Sequence, residues 1–275
     1  LAWHSSTWCA DRAIDYLRTR GGERPFCLWV SFPDPHHPFD CPEPWAGLHH
    51  PDEVELPRAP AKDLDARPWW HRASLERPPA GGDEASRKFR STLSRAPDQT
   101  EAQLRDMTSN YYGMISLIDH SVGRLLATLR DLGVEDDTLV VYSTDHGDLL
   151  GDHGLYLKGP TPYEGLLRVG MILRGPGIPA GQAITDPVST LDLAATFTDV
   201  AGTSLPPQAQ SRSLLPVARE LFDPVLALFR SLRTALVCMY PAALTLVTIF
   251  GVMGHLGVTT VADVVAGKKV PKFLD

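Results

Sequence analysis

The chain is short of most features that would assign it at a glance. Asparagine occurs once, at Asn110, and Asn110-Tyr111-Tyr112 is no glycosylation sequon. Basic residues are outnumbered, 26 Lys and Arg against 33 Asp and Glu, for a formal net charge of -7. With no basic stripe to meet a phosphate backbone, nucleic acid is not an expected partner. The four cysteines, Cys9, Cys27, Cys41 and Cys238, show neither CxxC spacing nor a regular framework. Packed, reduced thiols are therefore expected rather than zinc ligands or stapling bridges. Leu1 is followed by no charged and apolar leader pattern, so the sequence reads as the interior of a longer chain.

What is present supports a globular fold. In 275 residues, 43% are hydrophobic and 21% charged, enough to bury one substantial core. Ser6 or Thr7 is placed to cap a helix from Trp8 to Arg20, with Ala10, Ala13, Ile14 and Leu17 on one face and Gly21-Gly22 ending it. Phe26 to Phe32 is a short apolar run closed by Pro33 and predicts a buried strand. From Pro33 to Pro97 the prolines, charges and paired His or Trp residues follow no period and predict long surface loops.

Thr100 and Gln103 form a capping-box pattern ahead of a helical stripe that runs from Leu104 to Leu129 and stops at Gly133. Strands follow at Leu139 to Ser143 and Val169 to Arg174, and a helix at Ser189 to Ala201. Alternation of helices and strands predicts an α/β fold with a mainly parallel sheet flanked by helices. Asp119 and the Tyr111-Tyr112 pair read as helix capping and packing contacts, and Asp192 as ordering a helix start.

Thr144-Asp145-His146-Gly147-Asp148 stands just past a predicted strand, where parallel sheets build ligand sites. Taken alone, Asp145-His146 reads first as a solvated, Asp-capped turn; off the strand, the two side chains can instead converge on one cation, with Gly147 permitting a tight exit. The context is more specific, because Gly151-Asp152-His153-Gly154 follows and Lys158 stands 13 residues after Asp145. Upstream, Asp34-Pro35-His36-His37-Pro38-Phe39 follows the first strand.

The run YSTDHGDLLGDHGLYLKG resembles the metal- and anion-binding signature of sulfatases in the alkaline phosphatase-like superfamily, which also holds phosphonate monoester hydrolases. The segments STWCADRAIDYLRTR, SFPDPHHPF, YYGMISLIDHSVGRLL and STLDLAATFTDVAG extend the resemblance over roughly residues 1–219. It implies an alkaline phosphatase-like α/β fold and Asp145 and His146 as ligands of one divalent ion. That ion would be calcium first, with magnesium or manganese as alternatives. Lys158 would then contact the ester's oxygens as a catalytic and substrate-binding group. His36 would approach the leaving oxygen, with His37 as its rival, and His153 would lie beside the substrate. A cation would polarise the ester, a lysine would hold growing charge, and a histidine could protonate a departing alkoxide. The substrate implied is a sulfate ester, or a phosphate or phosphonate ester, of a small molecule or glycan.

The resemblance has gaps. The family makes its formylglycine nucleophile from a C/S-x-P-S-R motif, which is absent here, and Cys41-Pro42-Glu43-Pro44 is only a superficial match. The nucleophile and the remaining metal ligands are thus expected outside these residues, leaving an incomplete metal site and a chain that is inactive alone. Val169-Gly170 stands where relatives commonly have Val-Pro. All 20 arginines lie within residues 1–233, whereas 234–275 hold three of the six lysines. Residues 220–275 therefore read as an apolar, helical tail of separate origin. The uncharged run 234–254 is long enough to span a bilayer, although a membrane anchor is not the favoured reading. The stretch 254–275 resembles the end of periplasmic sugar-binding proteins.

Overall fold

The computed structural model describes residues 3–22, 24–57, 67–69, 71, 84, 99–158 and 161–219, together with the backbone of 245–251. The chain divides into two compact units. A sheet unit comprises Ser5–Phe32, His120–Asp145 and Gly170–Asp275, and a loop unit comprises Leu1–His4, Pro33–Asp119 and His146–Val169.

In the sheet unit, α1 (Ser5–Thr19) buries Ala10, Ala13, Ile14 and Leu17, the stripe expected from the sequence, and packs on β1 (Cys27–Phe32). All six residues of β2 (Thr138–Ser143) are buried, and β3 (Met171–Arg174) pairs antiparallel with it. A fourth strand, β4 (Thr245–Gly251), lies between β1 and β2, antiparallel to both, giving the order β1-β4-β2-β3. β1 and β2 consequently run the same way, as crossover helices require. Their ladder bonds nevertheless go to β4, so each adjacent pair among the described strands is antiparallel rather than parallel.

β4 also corrects the helical reading of the tail over these seven residues. Thr-Leu-Val-Thr-Ile-Phe-Gly is dominated by branched and aromatic residues, which suit a pleated ladder better than a helix. The rest of the tail, 220–244 and 252–275, lies outside the described residues, as does most of the 234–254 run. Among the described residues no helix is long and apolar enough to cross a membrane.

The core of this unit joins Leu139 and Val141 of β2 to Ile178, to Leu193 of α4 (Asp192–Val200) and to Leu215 and Ala218 of α5 (Leu215–Arg219). Burying each large aliphatic side chain contributes about 1.5–3 kcal/mol as an upper value. The Asp192 carboxylate accepts from the backbone N–H of Ser189 at 3.2 Å and of Arg212 at 3.0 Å, which orders the start of α4.

The longest helix, α2 (Glu101–Asp131), runs from one unit into the other. Its capping box forms as the sequence predicts. The Thr100 N–H donates to Gln103 Oε1 at 2.9 Å, and the Gln103 N–H donates to Thr100 Oγ1 at 3.2 Å. At its end the N–H of Val134 reaches the carbonyl of Leu129 at 3.0 Å, and Gly133 takes φ +67.

Beyond that end, in the sheet unit, the Glu135 carboxylate accepts from Arg130 at 2.8 Å and from Arg174 at 2.6 Å, tying the approach to β2 onto β3. Burial pushes the Glu135 carboxyl up, but the two guanidinium partners outweigh it and hold it below its ordinary value. A depressed carboxyl stabilises the fold above its unfolded value, and that contribution is lost as the pH falls through the folded value. Glu135→Gln is accordingly expected to cost about 1–3 kcal/mol near neutrality, the range for hydrogen bonds to charged groups. The difference from the parent should close on acidification below the ordinary glutamate range, as read by urea unfolding at several pH values.

In the loop unit the first part of α2 serves as a post for the proline-rich loop. Ser109 donates to the His49 carbonyl, the His49 ring meets Ser116 Oγ at 2.9 Å, and the Arg105 guanidinium donates to the Val54 carbonyl. The approach is so close that a Cβ on Gly113 would stand 2.6 Å from the Trp45 carbonyl oxygen. These bonds order the described part of a loop that has no period of its own. A small apolar cluster of Leu149, Leu155 and Leu166, with Tyr163 against it, supports the segment after β2.

Candidate functional site

The candidate site is built on the segment 146–158 of the loop unit. Asp145 ends the preceding segment, just past β2 in the sheet unit, and is bonded to His146. His146 is held by its own neighbour, since Nδ1 donates to the Gly147 carbonyl at 2.7 Å. In the neutral ring this fixes Nε2 as the nitrogen carrying the lone pair, the tautomer a metal ligand needs.

At the tight exit Gly147 is needed for space rather than for an unusual φ. Its N–H donates to the Leu166 carbonyl at 3.0 Å, and a Cβ there would fall 1.9 Å from the Gly165 carbonyl oxygen. This contact docks the segment on α3 (Glu164–Leu167). Directly after it, Asp148 accepts from the Leu150 N–H at 3.0 Å.

Asp148 is an acid beside the candidate residues that the sequence reading did not single out. Burial pushes its carboxyl above the ordinary value, opposed by the Leu150 N–H and then by the charges of Lys158, His146 and His36. Three residues chosen from the sequence thus converge electrostatically on a carboxylate that was passed over. The only available signal was its place as the second acid of Asp-His-Gly-Asp.

The residues between Asp148 and Lys158 loop out and close. The Leu149 N–H donates to the Leu157 carbonyl at 3.1 Å, and within that closure the Gly151 N–H donates to the Leu155 carbonyl at 2.8 Å. Residues 149–157 of the interval from Asp145 to Lys158 therefore form a closed loop. Leu150, His153 and Leu157 take φ of 46, 55 and 63, conformations that cost a non-glycine residue on the order of 1–3 kcal/mol each. Such strain persists only where the surroundings enforce it.

His36 is exposed, and its Nδ1 donates to the His37 carbonyl at 2.6 Å. Its ring stacks on His37 at 4.1 Å, and His37 meets Phe39 edge-on at 6.5 Å. Phe39 in turn contacts Tyr111 and Tyr156 at 5.8 and 6.0 Å, so an aromatic ladder carries the His pair. Tyr111 has the packing role expected of it.

His153 is held by different partners. Its Nε2 lies 3.4 Å from Asp152 Oδ2, and its ring stacks on Tyr163 at 3.9 Å. Tyr163 in turn hydrogen-bonds through its hydroxyl to buried His71. Neither Tyr163 nor His71 was singled out from the sequence, and nothing local marks them.

The free thiols among the described residues are Cys9, Cys27 and Cys41, and Cys238 lies outside them. Burial, with Asp34, Glu43 and Asp40 nearby, pushes the Cys41 thiol up to about 12, the opposite of an activated nucleophile. A hard divalent ion takes about six or more donors. Asp145 and His146 have suitable chemistry for two of them. Among the described residues, however, no group of three or more His, Cys, Asp and Glu side chains gathers as a metal-holding cluster. These residues fit part of a metal shell and do not fill it.

A family model described as Sulfatase matches residues 3–203. A choline-sulfatase of Rhizobium meliloti (strain 1021) is 36% identical over 208 residues, covering 74% of this chain and 38% of the relative. An arylsulfatase of Clostridium perfringens (strain 13 / Type A) is 31% identical over 221 residues, covering 79% and 42%. Among solved structures, the phosphonate monoester hydrolase of Agrobacterium radiobacter is similar with a TM-score of 0.63 at 26% identity, over 78% of this chain and 42% of that one. The chain spans about two fifths of the length of the curated relatives named.

Proposed function

Because this chain belongs to the sulfatase family and shares its alkaline phosphatase-like fold, we propose that residues 1–219 are part of the catalytic domain of a metal-dependent sulfuric ester hydrolase. Residues 220–275 are proposed as a segment of separate origin, of which 245–251 form β4 between β1 and β2. The observation that carries the reading is the closed loop 149–157, which sets Lys158 at the end of the segment that begins with Asp145 and His146. A cationic lysine, two imidazoles and one carboxylate suit a small tetrahedral anion whose charge grows during reaction.

Asp145 and His146 would supply two donors to a divalent ion, calcium first and magnesium or manganese as alternatives, with the other donors coming from other residues. When bound, that ion would polarise the ester oxygens. Lys158 holds an ester oxygen by charge. His36, with Nδ1 committed to the His37 carbonyl, delivers a proton from Nε2 to the leaving oxygen. His37 orients His36 by stacking, and His153 lies on the substrate side of the loop. The substrate is a sulfate ester of a small molecule or glycan, in keeping with the relatives named choline-sulfatase and arylsulfatase. The net charge of -7 speaks against nucleic acid as a partner.

The test joins residues 1–219 to the amino-terminal portion of the Rhizobium choline-sulfatase and assays aryl sulfate hydrolysis with and without a chelator. Metal-dependent turnover supports the reading, and a folded chimera without turnover refutes it. The 275-residue chain alone contains no C/S-x-P-S-R motif and is expected to give no substantial turnover.

In the chimera, His36→Gln is expected to lower kcat about 100-fold for esters with poor leaving groups, and far less for nitrophenyl sulfate, whose leaving group needs no proton. An equal loss on both esters would remove His36 from the proton-donating role. A second reading, hydrolysis of a phosphonate or phosphate ester, is favoured by the likeness to the phosphonate monoester hydrolase. The ratio of kcat/KM for phenyl sulfate and phenyl phosphonate esters decides between them.

A further inference from the structure

We propose that Tyr163 is a positioning residue that holds the loop 149–158, and with it Lys158, against Asp148. The inference rests on the reading that Lys158 contacts a tetrahedral anion. Three non-glycine residues of this loop have positive φ, so the fold needs an outside group to keep it in place.

Tyr163 is that group, and it meets the loop on two sides. Its ring lies flat on His153 near the loop's apex, 3.9 Å between centroids with 24° between planes. It also packs against the cluster of Leu149, Leu155 and Leu166, and so supports the base of the loop. Tyr163 is itself fixed. Its hydroxyl hydrogen-bonds to Nδ1 of His71, which is 1% exposed, and the Arg67 guanidinium stands 5.9 Å from its ring centroid. Through this phenol the part of the proline-rich loop around His71 reaches the site, in addition to the contact of Phe39 with Tyr156. From Tyr163 the restraint passes through the stacked His153 and the Leu149-to-Leu157 hydrogen bond to the residue that follows, Lys158.

The test uses the whole 275-residue chain, with inorganic sulfate as the anion probe. Amide exchange is read at Leu149 and Gly151, whose N–H groups close the loop, and is referred to Val141 in β2, which a general loss of stability would accelerate equally. In Tyr163→Leu the two loop amides are expected to exchange about tenfold faster relative to Val141. Sulfate affinity should fall about tenfold. Tyr163→Phe keeps the ring and loses only the bond to His71, so a smaller acceleration of about threefold is expected, and this variant decides the matter if the leucine variant fails to fold. Loop exchange in the folded variants that tracks Val141 without change overturns the proposal. Lys158→Ala separates the two claims. If sulfate affinity survives that substitution, the anion-holding role of Lys158 falls, while the exchange ratio still decides whether Tyr163 holds the loop.

Discussion

Lys158→Ala in the metal-dependent chimera is expected to lower kcat/KM about 100- to 1,000-fold, the loss that follows removal of one preorganised oxyanion contact. The expectation comes from the loop's construction. Lys158 follows a closure sealed by the Leu149-to-Leu157 hydrogen bond, and its charge opposes the burial that raises the half-buried Asp148 carboxyl. A cation fixed in this way needs no reorganisation when charge builds on the ester. Its contribution should therefore appear mainly in kcat, with a smaller rise in KM because the same cation also holds the ground-state anion. Lys158→Arg should recover only part of the rate, because a planar fork on a different stem cannot place its charge where the ammonium sits. Thermal unfolding should scarcely move in either variant, since the side chain supports no apolar cluster. A loss below about threefold in Lys158→Ala would show that the closed loop serves some other purpose.

Much of the fold was legible because the signals were local. Ala10, Ala13, Ile14 and Leu17 are buried at the spacing that named them, and Thr100 and Gln103 close the capping box they spell. β2 follows its helix as the alternation of elements implied. β4 was not legible, since an uncharged run satisfies a helix, a membrane span or a strand until neighbouring strands supply the ladder. The candidate site divides along the same line. His36, His146 and Lys158 are recognisable by spacing, and the structure adds a physical reason for that spacing in the closed loop. Asp148 became visible only through the three charges that meet it, and Tyr163 and His71 only through a contact 92 residues apart in sequence. Gly147 was read as permitting a tight exit, and what it provides there is room.

Room is the basis of the last expectation: Gly147→Ala should lower stability by about 3 kcal/mol, the upper end of the usual overpacking range. The added Cβ would stand 1.9 Å from the Gly165 carbonyl oxygen and 3.0 Å from its carbon. Both are backbone atoms, with no rotamer to yield. Relief requires the segment after β2 to lift from α3, breaking the bond from the Gly147 N–H to the Leu166 carbonyl. His146 and Asp148 flank that glycine, so they move with it. Activity of the chimera should then fall even at temperatures where the variant is folded. Gly123→Ala is the matched control, because it lies inside α2 with nothing within 4 Å of the new Cβ. There the substitution should stabilise by about 0.4–1 kcal/mol, by restricting the unfolded chain and favouring helix. Urea midpoints shifting in opposite directions at unchanged slope would confirm that docking on α3 sets the direction of the site's side chains. Equal and small shifts would mean that the segment is not seated on α3 in solution, and the convergence on Asp148 would need another support.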